Sequence, residues 1–214
     1  MKLQICFEDL ELNEALKLAK KISNFCDTIE IGNSLLLEYG IKVVEKFRKK
    51  IKDKNLLLDT RFTDSPISNI TKKLYQEGAD WLTVMSNAPK PMIHHLTTLS
   101  KNNNKKVMMD MLNAISAGQI AMEAKTLGVD AILIKHRVDE DEIQFIDKWE
   151  MVSGNSNLPI YISTECSDIE NIKKIISLNP AGIVIGKSIT HSEDPEKIAS
   201  HIYEFCKANN LSIS

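Results

Sequence analysis

Several features common in membrane, secreted and metal-cluster proteins are missing from this sequence. Its apolar runs fall well short of the roughly 20 residues that a membrane span needs, and the N-terminal MKLQICFEDL has no signal-peptide pattern. Cys6, Cys26, Cys166 and Cys206 are far apart and form no CxxC pair, which argues against a zinc site and a disulfide framework. We therefore expect no membrane partner, and a reducing cytoplasm as the location.

A marked excess of charge of one sign is also absent. The formal net charge is −2, with acids and bases mixed along the chain. The one notable basic cluster, KFRKKIKDK over Lys46–Lys54, is interrupted by Ile51 and Asp53. This pattern favours a solvated helix end over a nucleic-acid patch, so no nucleic-acid partner is expected.

Short apolar runs alternate with segments of helical period along the whole chain. In the first helical segment, apolar residues fall at i, i+3, i+4, i+7 and i+10 from Leu12, which makes one apolar stripe. Gly78 and Gly128 each stand where a helix would end, just before the next apolar run. Eight runs are strand candidates, and most of them have the continuous apolar pattern of strands covered on both faces. They are Lys2–Glu8, Asp27–Gly32, Asn55–Arg61, Asp80–Met85, Lys105–Met111, Asp130–Lys135, Leu158–Ser163 and Ala181–Gly186.

Eight strand–helix units predict an α/β fold of the (β/α)8 TIM barrel type, with eight parallel strands in a single domain over residues 1–214. The alternative is a doubly wound open sheet, which would need a glycine-rich phosphate loop after the first strand. The corresponding segment, FEDLELNEA, contains no glycine. The sequence therefore favours the barrel.

Charged residues stand at the predicted strand ends, where the active site of such a barrel lies. Acids dominate the first five ends and bases appear later: Glu8 and Asp9, Glu30, Asp59 with Arg61, Asp110, Lys135, Arg137 and Lys187. Because residues i and i+2 of a strand face the same way, Asp59 and Arg61 are expected to point together into the barrel mouth, with Asp64 just beyond. One interpretation is that these charges neutralise one another at the rim. The other is a Mg²⁺ site, because so many carboxylates are costly to crowd without a cation.

Several segments also resemble, in order, those of a known family. They are MKLQ at the start, IEIG over Ile29–Gly32, GADWLTV over Gly78–Val84, MDM over Met109–Met111 and IGKSITHSEDP over Ile185–Pro195. The family is the 3-hexulose-6-phosphate synthase and 3-keto-L-gulonate-6-phosphate decarboxylase group of the orotidine-5′-phosphate decarboxylase superfamily. Its D-x-K-x-x-D motif ends the third strand, where this chain has DTRFTD over Asp59–Asp64.

The resemblance implies a Mg²⁺-dependent homodimer with a shared active site that stabilises the enediolate of a small phosphorylated sugar. The reaction would be an aldol addition of formaldehyde to ribulose 5-phosphate, or a decarboxylation. By position, Glu30 and Asp59 would be the metal ligands, and Asp64 would reach into the partner's site. The catalytic residues would be Glu8, Asp59, Arg61, Asp64 and His136, and the substrate and phosphate ligands would be Lys135, Arg137, Thr164, Gly186 and Lys187.

This chain departs from the family pattern at several strand ends. Arg61 replaces the lysine and stays charged, so it is a poor proton donor, and Glu8 replaces an aspartate. His136 would take the family histidine's role only if the strand end slips by one residue. Thr164 and Glu165 stand where the family has a phosphate-binding glycine pair, and a carboxylate repels a phosphate by about 4 kcal/mol per charge pair at 4 Å and an effective dielectric of about 20. The alternative function is therefore a diverged, weakly active or inactive homologue that binds a different ligand or acts as a structural or regulatory dimer. A Schiff-base lyase using Lys135 is disfavoured, because acidic neighbours raise a lysine pKa.

Overall fold

In the computed structural model, eight parallel strands pair in chain order and close into a barrel. The structure describes residues 1–64, 67–137, 141–165 and 169–208, and for Ile169 it describes the backbone. The strands are β1 Lys2–Phe7, β2 Thr28–Ile31, β3 Asn55–Phe62, β4 Trp81–Met85, β5 Lys106–Asp110, β6 Ala131–His136, β7 Ile160–Thr164 and β8 Gly182–Ile185. Pairing of β1 with both β2 and β8 closes the barrel. This confirms the predicted (β/α)8 TIM barrel, and every strand lies within two residues of its predicted bounds.

Helices occupy the connections between the strands. They are α1 Leu12–Ile22, α2 Asn33–Tyr39, α3 Lys42–Lys50, α4 Ser68–Gln76, α5 Lys90–Asn102, α6 Ala117–Ala124, α7 Glu142–Ser153, α8 Ile169–Ser177, α9 Lys187–Thr190 and α10 Pro195–Ala208, with a short 3₁₀ turn at Ser23–Phe25. The predicted apolar stripe of α1 is confirmed, because all five of its residues are buried. Among the described helices, none has the length and apolar character that crossing a membrane requires.

The apolar core has two layers, because successive side chains of a strand point to opposite sides of the barrel wall. The larger layer lies between the strands and the helices. A smaller cluster fills the barrel interior: Cys6, Leu57, Met108, Ala131, Leu133, Tyr161 and Val184. A Cβ at Gly182 would lie 2.5 Å from the Tyr161 ring, so glycine at this position leaves room for the tyrosine inside the barrel. This packing closes the interior below the ends of the strands.

Three aspartates link neighbouring strands at their N-terminal ends by hydrogen bonds. These aspartates directly precede β2, β4 and β6. The side chain of each one accepts a hydrogen bond from the backbone N–H of the second residue of the strand before it. Its own backbone N–H donates to the carbonyl oxygen of that same second residue. The pairs are Asp27 with Leu3 at 2.9 Å, Asp80 with Leu56 at 3.0 Å and Asp130 with Val107 at 2.9 Å for the side-chain bonds. This network stabilises the end of the barrel opposite the predicted site.

Part of the basic cluster over Lys46–Lys54 contributes to the same network. Arg48 donates to the carbonyl oxygens of Gly78 and Lys54, at 3.0 and 2.9 Å, and pairs with Asp80. Three of the four cysteines, Cys6, Cys26 and Cys206, are buried free thiols; the fourth lies outside the described residues.

Candidate active site

A cavity of about 370 Å³ opens at the C-terminal ends of the strands. Its lining includes every residue predicted for the site except Asp64, which is exposed on the segment after β3. The barrel therefore brings together side chains from β1, β2, β3, β5, β6, β7 and the segment after β8. The lining also contains Asp110 and Glu165, which were noted in the sequence but given no role in the site.

The end of β3 departs from regular strand geometry. Leu58 pairs with Leu82 of β4, but the next pair is Phe62 with Val84, so β3 carries extra residues in a bulge. Arg61 lies in this bulge with φ of 44°, in the left-handed region. The rule that residues i and i+2 of a strand face the same way therefore does not apply to Asp59 and Arg61.

Asp59 and Arg61 nevertheless meet in the cavity, as predicted. Nε and Nη2 of Arg61 donate to the same Asp59 oxygen, Oδ2, at 2.9 and 2.8 Å. Nη2 also lies 3.9 Å from Oε1 of Glu8. Burial lowers the pKa of Arg61, but the hydrogen bond to Asp59 and the negative charges of Asp59, Asp110 and Glu8 together outweigh it, so the pKa lies above its ordinary value. Arg61 is therefore a fixed positive charge.

Three carboxyl groups are almost fully buried at the base of the cavity. Glu30 and Asp59 are each 4% exposed, and Asp110 is 1% exposed. Burial and then the nearby Asp59 raise the pKa of Glu30 to about 8. Burial also raises the pKa of Glu8 and of Asp110. The structure therefore places several carboxyl groups where burial makes their ionised forms unfavourable.

The partners of these carboxyl groups leave some oxygens unsatisfied. Glu30 Oε2 accepts a 2.6 Å hydrogen bond from Nε2 of the buried Gln4. Asp110 Oδ1 accepts the Leu112 N–H at 2.8 Å. Oδ2 of Asp110 has no hydrogen-bond partner among the described residues and lies 4.0 Å from Lys135 Nζ. A buried carboxylate oxygen that lacks a hydrogen-bond partner is suited to bind a cation or to accept a hydrogen bond from a substrate hydroxyl group.

These residues fit a Mg²⁺ ion by charge and donor type. Mg²⁺ is commonly held by one or two carboxylates, with waters and substrate oxygens as the other ligands. Glu30 and Asp59 provide that number, and the unsatisfied oxygen of Asp110 adds negative charge. Among the described residues, no group of three or more His, Cys, Asp or Glu side chains forms an all-protein metal cage. Such a cage is not what a Mg²⁺ site of this kind needs.

The histidine at the end of β6 lies at the rim of the cavity. β6 extends to His136, one residue beyond its predicted end. Lys135 follows Leu133 on the strand face that points inside the barrel. The His136 ring packs against Phe145 of α7, with centroids 4.4 Å apart, and Nδ1 lies 3.5 Å from Thr164 Oγ1. A catalytic role for His136 remains a prediction.

The predicted phosphate region carries charges of both signs. Lys187 Nζ lies 2.6 Å from Oδ2 of Asp9, and this contact holds the pKa of Asp9 below its ordinary value. His191 Nε2 lies 3.2 Å from the Asp9 carbonyl oxygen. The Glu165 side chain is exposed, while its carbonyl oxygen accepts a 2.7 Å hydrogen bond from Ser188. An anionic ligand at Lys187 would therefore compete with Asp9 for this ammonium group.

Two supporting residues were missed by the sequence reasoning. Gln4 bonds to Glu30, and Thr83 of β4 bonds to Asp59 at 3.0 Å from Oγ1 to Oδ1. Both lie inside segments that resemble the family, MKLQ and GADWLTV, but nothing in a single sequence distinguishes a buried polar residue that supports a site from one that packs. Asp110 carried a clearer signal, because it is an acid at the end of an apolar strand.

Comparison with known proteins agrees with this geometry. A family model described as "Orotidine 5′-phosphate decarboxylase / HUMPS family" matches residues 1–202. The 3-hexulose-6-phosphate synthase of Bacillus subtilis (strain 168) is 25% identical over 203 residues, covering 94% of this chain and 96% of that protein. The 3-hexulose-6-phosphate synthase 3 of Staphylococcus saprophyticus is 24% identical over 200 residues, covering 91% and 93%.

Solved structures show the same fold. The 3-hexulose-6-phosphate synthase from Salmonella typhimurium superposes with a TM-score of 0.89 at 23% identity, covering 98% of this chain and all of that one. The 3-keto-L-gulonate-6-phosphate decarboxylase from Vibrio cholerae gives a TM-score of 0.84 at 19% identity, covering 97% of each chain. The expectation of a carbon–carbon lyase is supported by the enzyme names of these relatives. On the family match over most of its length, the chain belongs to the orotidine 5′-phosphate decarboxylase / HUMPS family.

Proposed function

We propose that this chain is a Mg²⁺-dependent lyase of the 3-hexulose-6-phosphate synthase type. It would join ribulose 5-phosphate to formaldehyde, or cleave the product, through an enediolate. The observation that carries the proposal is the cavity in which the buried carboxyl groups of Glu30, Asp59 and Asp110 face Arg61 and Lys135. The names of the curated relatives support the substrate class.

Glu30 and Asp59 are the residues that would hold the metal. Bound there, Mg²⁺ supplies Lewis-acid stabilisation of negative charge on substrate oxygens. The raised pKa of Glu30 supports this assignment, because a nearby divalent cation would offset the cost of its ionised form. The Gln4 bond to one oxygen of Glu30 leaves lone pairs on that carboxylate for a ligand.

The protein side chains would carry the proton transfers. The aldol addition removes a proton from C1 of ribulose 5-phosphate, forms a carbon–carbon bond to formaldehyde, and protonates the former formaldehyde oxygen. Glu8 is suited to exchange the C1 proton, because its raised pKa brings it closer to neutral pH and it lies beside Arg61. Arg61 would stabilise the enediolate as a fixed charge. His136, at the rim, is the candidate donor to the new hydroxyl group.

The phosphate would bind at the later strands. Lys187, Arg137, Thr164 and Gly186 line that part of the cavity. Lys187 is 58% exposed in its side chain, so it can pass from Asp9 to a phosphate with little desolvation cost. The enzyme names of the relatives, which refer to a hexulose phosphate and a keto-gulonate phosphate, support a phosphorylated ligand.

We further propose a homodimer in which Asp64 contributes to the partner's site. Three large apolar side chains are exposed on segments that directly follow β2, β3 and β5: Leu37 at 78%, Ile70 at 39% and Ile115 at 100%. These segments follow the strands that carry Glu30, Asp59 and Asp110. Exposed apolar side chains on the segments that follow these strands favour a second copy as a partner.

The experiment is an aldol assay that follows formaldehyde consumption with ribulose 5-phosphate, in Mg²⁺ and in EDTA. Asp59→Asn is expected to abolish activity, while Asp53→Asn, an exposed aspartate outside the cavity, is expected to leave it unchanged. Parallel incubation with 3-keto-L-gulonate 6-phosphate distinguishes aldol chemistry from decarboxylation. A folded protein with neither activity would support the diverged, inactive homologue instead.

A further inference from the structure

Thr83 connects the two charged residues at the end of β3. It lies on β4 and is fully buried. Its hydroxyl oxygen accepts the backbone N–H of Arg61 at 2.9 Å and donates to Asp59 Oδ1 at 3.0 Å. The Thr83 carbonyl oxygen accepts a 2.6 Å bond from the Thr60 hydroxyl. The directions are fixed by chemistry, because an ionised carboxylate only accepts and a backbone N–H only donates.

These bonds coincide with the bulge in β3. Between the Leu58 and Phe62 pairs, β3 leaves its register with β4, and Thr83 lies between the corresponding β4 partners, Leu82 and Val84. Arg61 has a positive φ, which is unfavourable for a residue with a side chain and persists only where the surroundings hold it. The bond from the Arg61 N–H to Thr83 is such a constraint.

The consequence concerns the orientation of both functional side chains. The bulge places the Arg61 guanidinium against Asp59 Oδ2, while Thr83 holds the other oxygen, Oδ1. The Thr83 hydroxyl group therefore holds the Asp59 carboxylate through one hydrogen bond and the Arg61 backbone through another. No other side chain in the described residues bonds both to Asp59 and to the Arg61 backbone.

We propose that Thr83 is a positioning residue, whose hydroxyl group sets the relative orientation of Asp59 and Arg61. The part of this proposal that concerns catalysis rests on the proposed function. The part that concerns the orientation of Asp59 and Arg61 does not. Two substitutions separate the hydroxyl from the methyl group: Thr83→Val keeps the shape and removes the hydroxyl, and Thr83→Ser keeps the hydroxyl and removes the methyl group. Thr71→Val is the matched control, because Thr71 is also fully buried and its hydroxyl has no hydrogen-bond partner among the described residues.

The first test needs no substrate. In the intact chain in metal-free buffer, NMR would follow hydrogen exchange at the Arg61 Nε–H, assigned by its loss in Arg61→Lys. Thr83→Val is expected to raise the exchange rate by about tenfold, since the bonds to a charged group weaken together. Thr83→Ser and Thr71→Val should stay within about threefold of the unaltered chain. An unchanged rate in Thr83→Val, or an equal rise in Thr83→Ser, would overturn the proposal.

A second measurement guards against a variant that does not fold. In the unaltered chain, the Thr83 hydroxyl proton should exchange slowly enough to be observed, with a magnetisation transfer to the Arg61 backbone N–H. A freely rotating, fast-exchanging hydroxyl would contradict the proposal without any substitution.

Kinetics then test the catalytic part. With ribulose 5-phosphate, formaldehyde and Mg²⁺, Thr83→Val is expected to lower kcat about tenfold with KM for ribulose 5-phosphate within about twofold, and Thr83→Ser is expected to restore most of kcat. Equal kcat in the Val and unaltered proteins would overturn this part. Absence of aldol activity in the unaltered chain would count against the proposed function, and the exchange measurement would still decide the role of Thr83.

Discussion

Replacement of Glu30 by glutamine tests the electrostatic account of the site. Burial and Asp59 raise the pKa of Glu30 from its ordinary value of 4.5 to about 8. Below pH 4.5, both the folded and the unfolded chain hold the proton, so this group does not change the free energy of unfolding. As pH rises, the unfolded chain releases the proton first, and the folded state loses stability until the pH passes about 8.

The expected loss in metal-free buffer at pH 7 is about 3 kcal/mol relative to pH 4.5. Glutamine cannot ionise, so Glu30→Gln should remove most of that loss and should raise Tm at pH 7 by about 6–12 °C. At pH 5 the two proteins should differ by less than about 1 kcal/mol. Added Mg²⁺ should reverse the order, because the ionised carboxylate is a ligand and the amide is a poor one.

The assay is denaturant unfolding at pH 5, 6, 7 and 8, in EDTA and in Mg²⁺. Glu14→Gln, an exposed glutamate in the first turn of α1, is the control and should change the free energy of unfolding by less than about 0.5 kcal/mol. If the difference between Glu30→Gln and the unaltered chain does not grow with pH in EDTA, Glu30 is not held at a raised pKa, and the electrostatic reasoning is wrong.

Substitutions at four further residues test other parts of the structure. Arg61→Met should destabilise the metal-free protein by about 2 kcal/mol, because it leaves Asp59 without its cation at a partly screened position; unchanged unfolding would contradict the pairing. Asp130→Ala should cost about 1–3 kcal/mol by leaving the N–H at the start of β5 unsatisfied, and Asp130→Asn, which keeps an acceptor, should cost less. Asp9→Asn should lower KM for ribulose 5-phosphate by up to about fivefold and Lys187→Met should raise it. Equal KM values would show that Asp9 and the phosphate do not compete.

The order of the elements was readable from the sequence because each βα unit carries a local signal. The run that became β8, GIVI, and the first four residues of β6, AILI, have no polar side chain, as strands covered on both faces should. Closure into a barrel followed from their number and from the lack of a glycine loop after β1. The acids at the strand ends then had to meet at one end of the barrel.

The detailed geometry of the site was not readable in this way. The bulge at Arg61 depends on which β4 residue faces it, and Thr83 supplies that contact from more than twenty positions away. The orientation of His136 toward α7 depends on Phe145, a contact made only after the helix packs. The pair of Lys187 with Asp9 joins the segments after the first and last strands, so only closure of the barrel creates it.

We propose that this cavity forms a carbon–carbon bond with Mg²⁺ bound by Glu30 and Asp59. The most direct measurement is NMR of the purified protein incubated with ribulose 5-phosphate, carbon-13 formaldehyde and Mg²⁺. We expect a labelled hydroxymethyl carbon bonded to C1 of the ketose phosphate, and we expect this signal to be lost in EDTA and in Asp59→Asn. Persistence of free labelled formaldehyde with a folded, Mg²⁺-saturated protein would contradict the proposal.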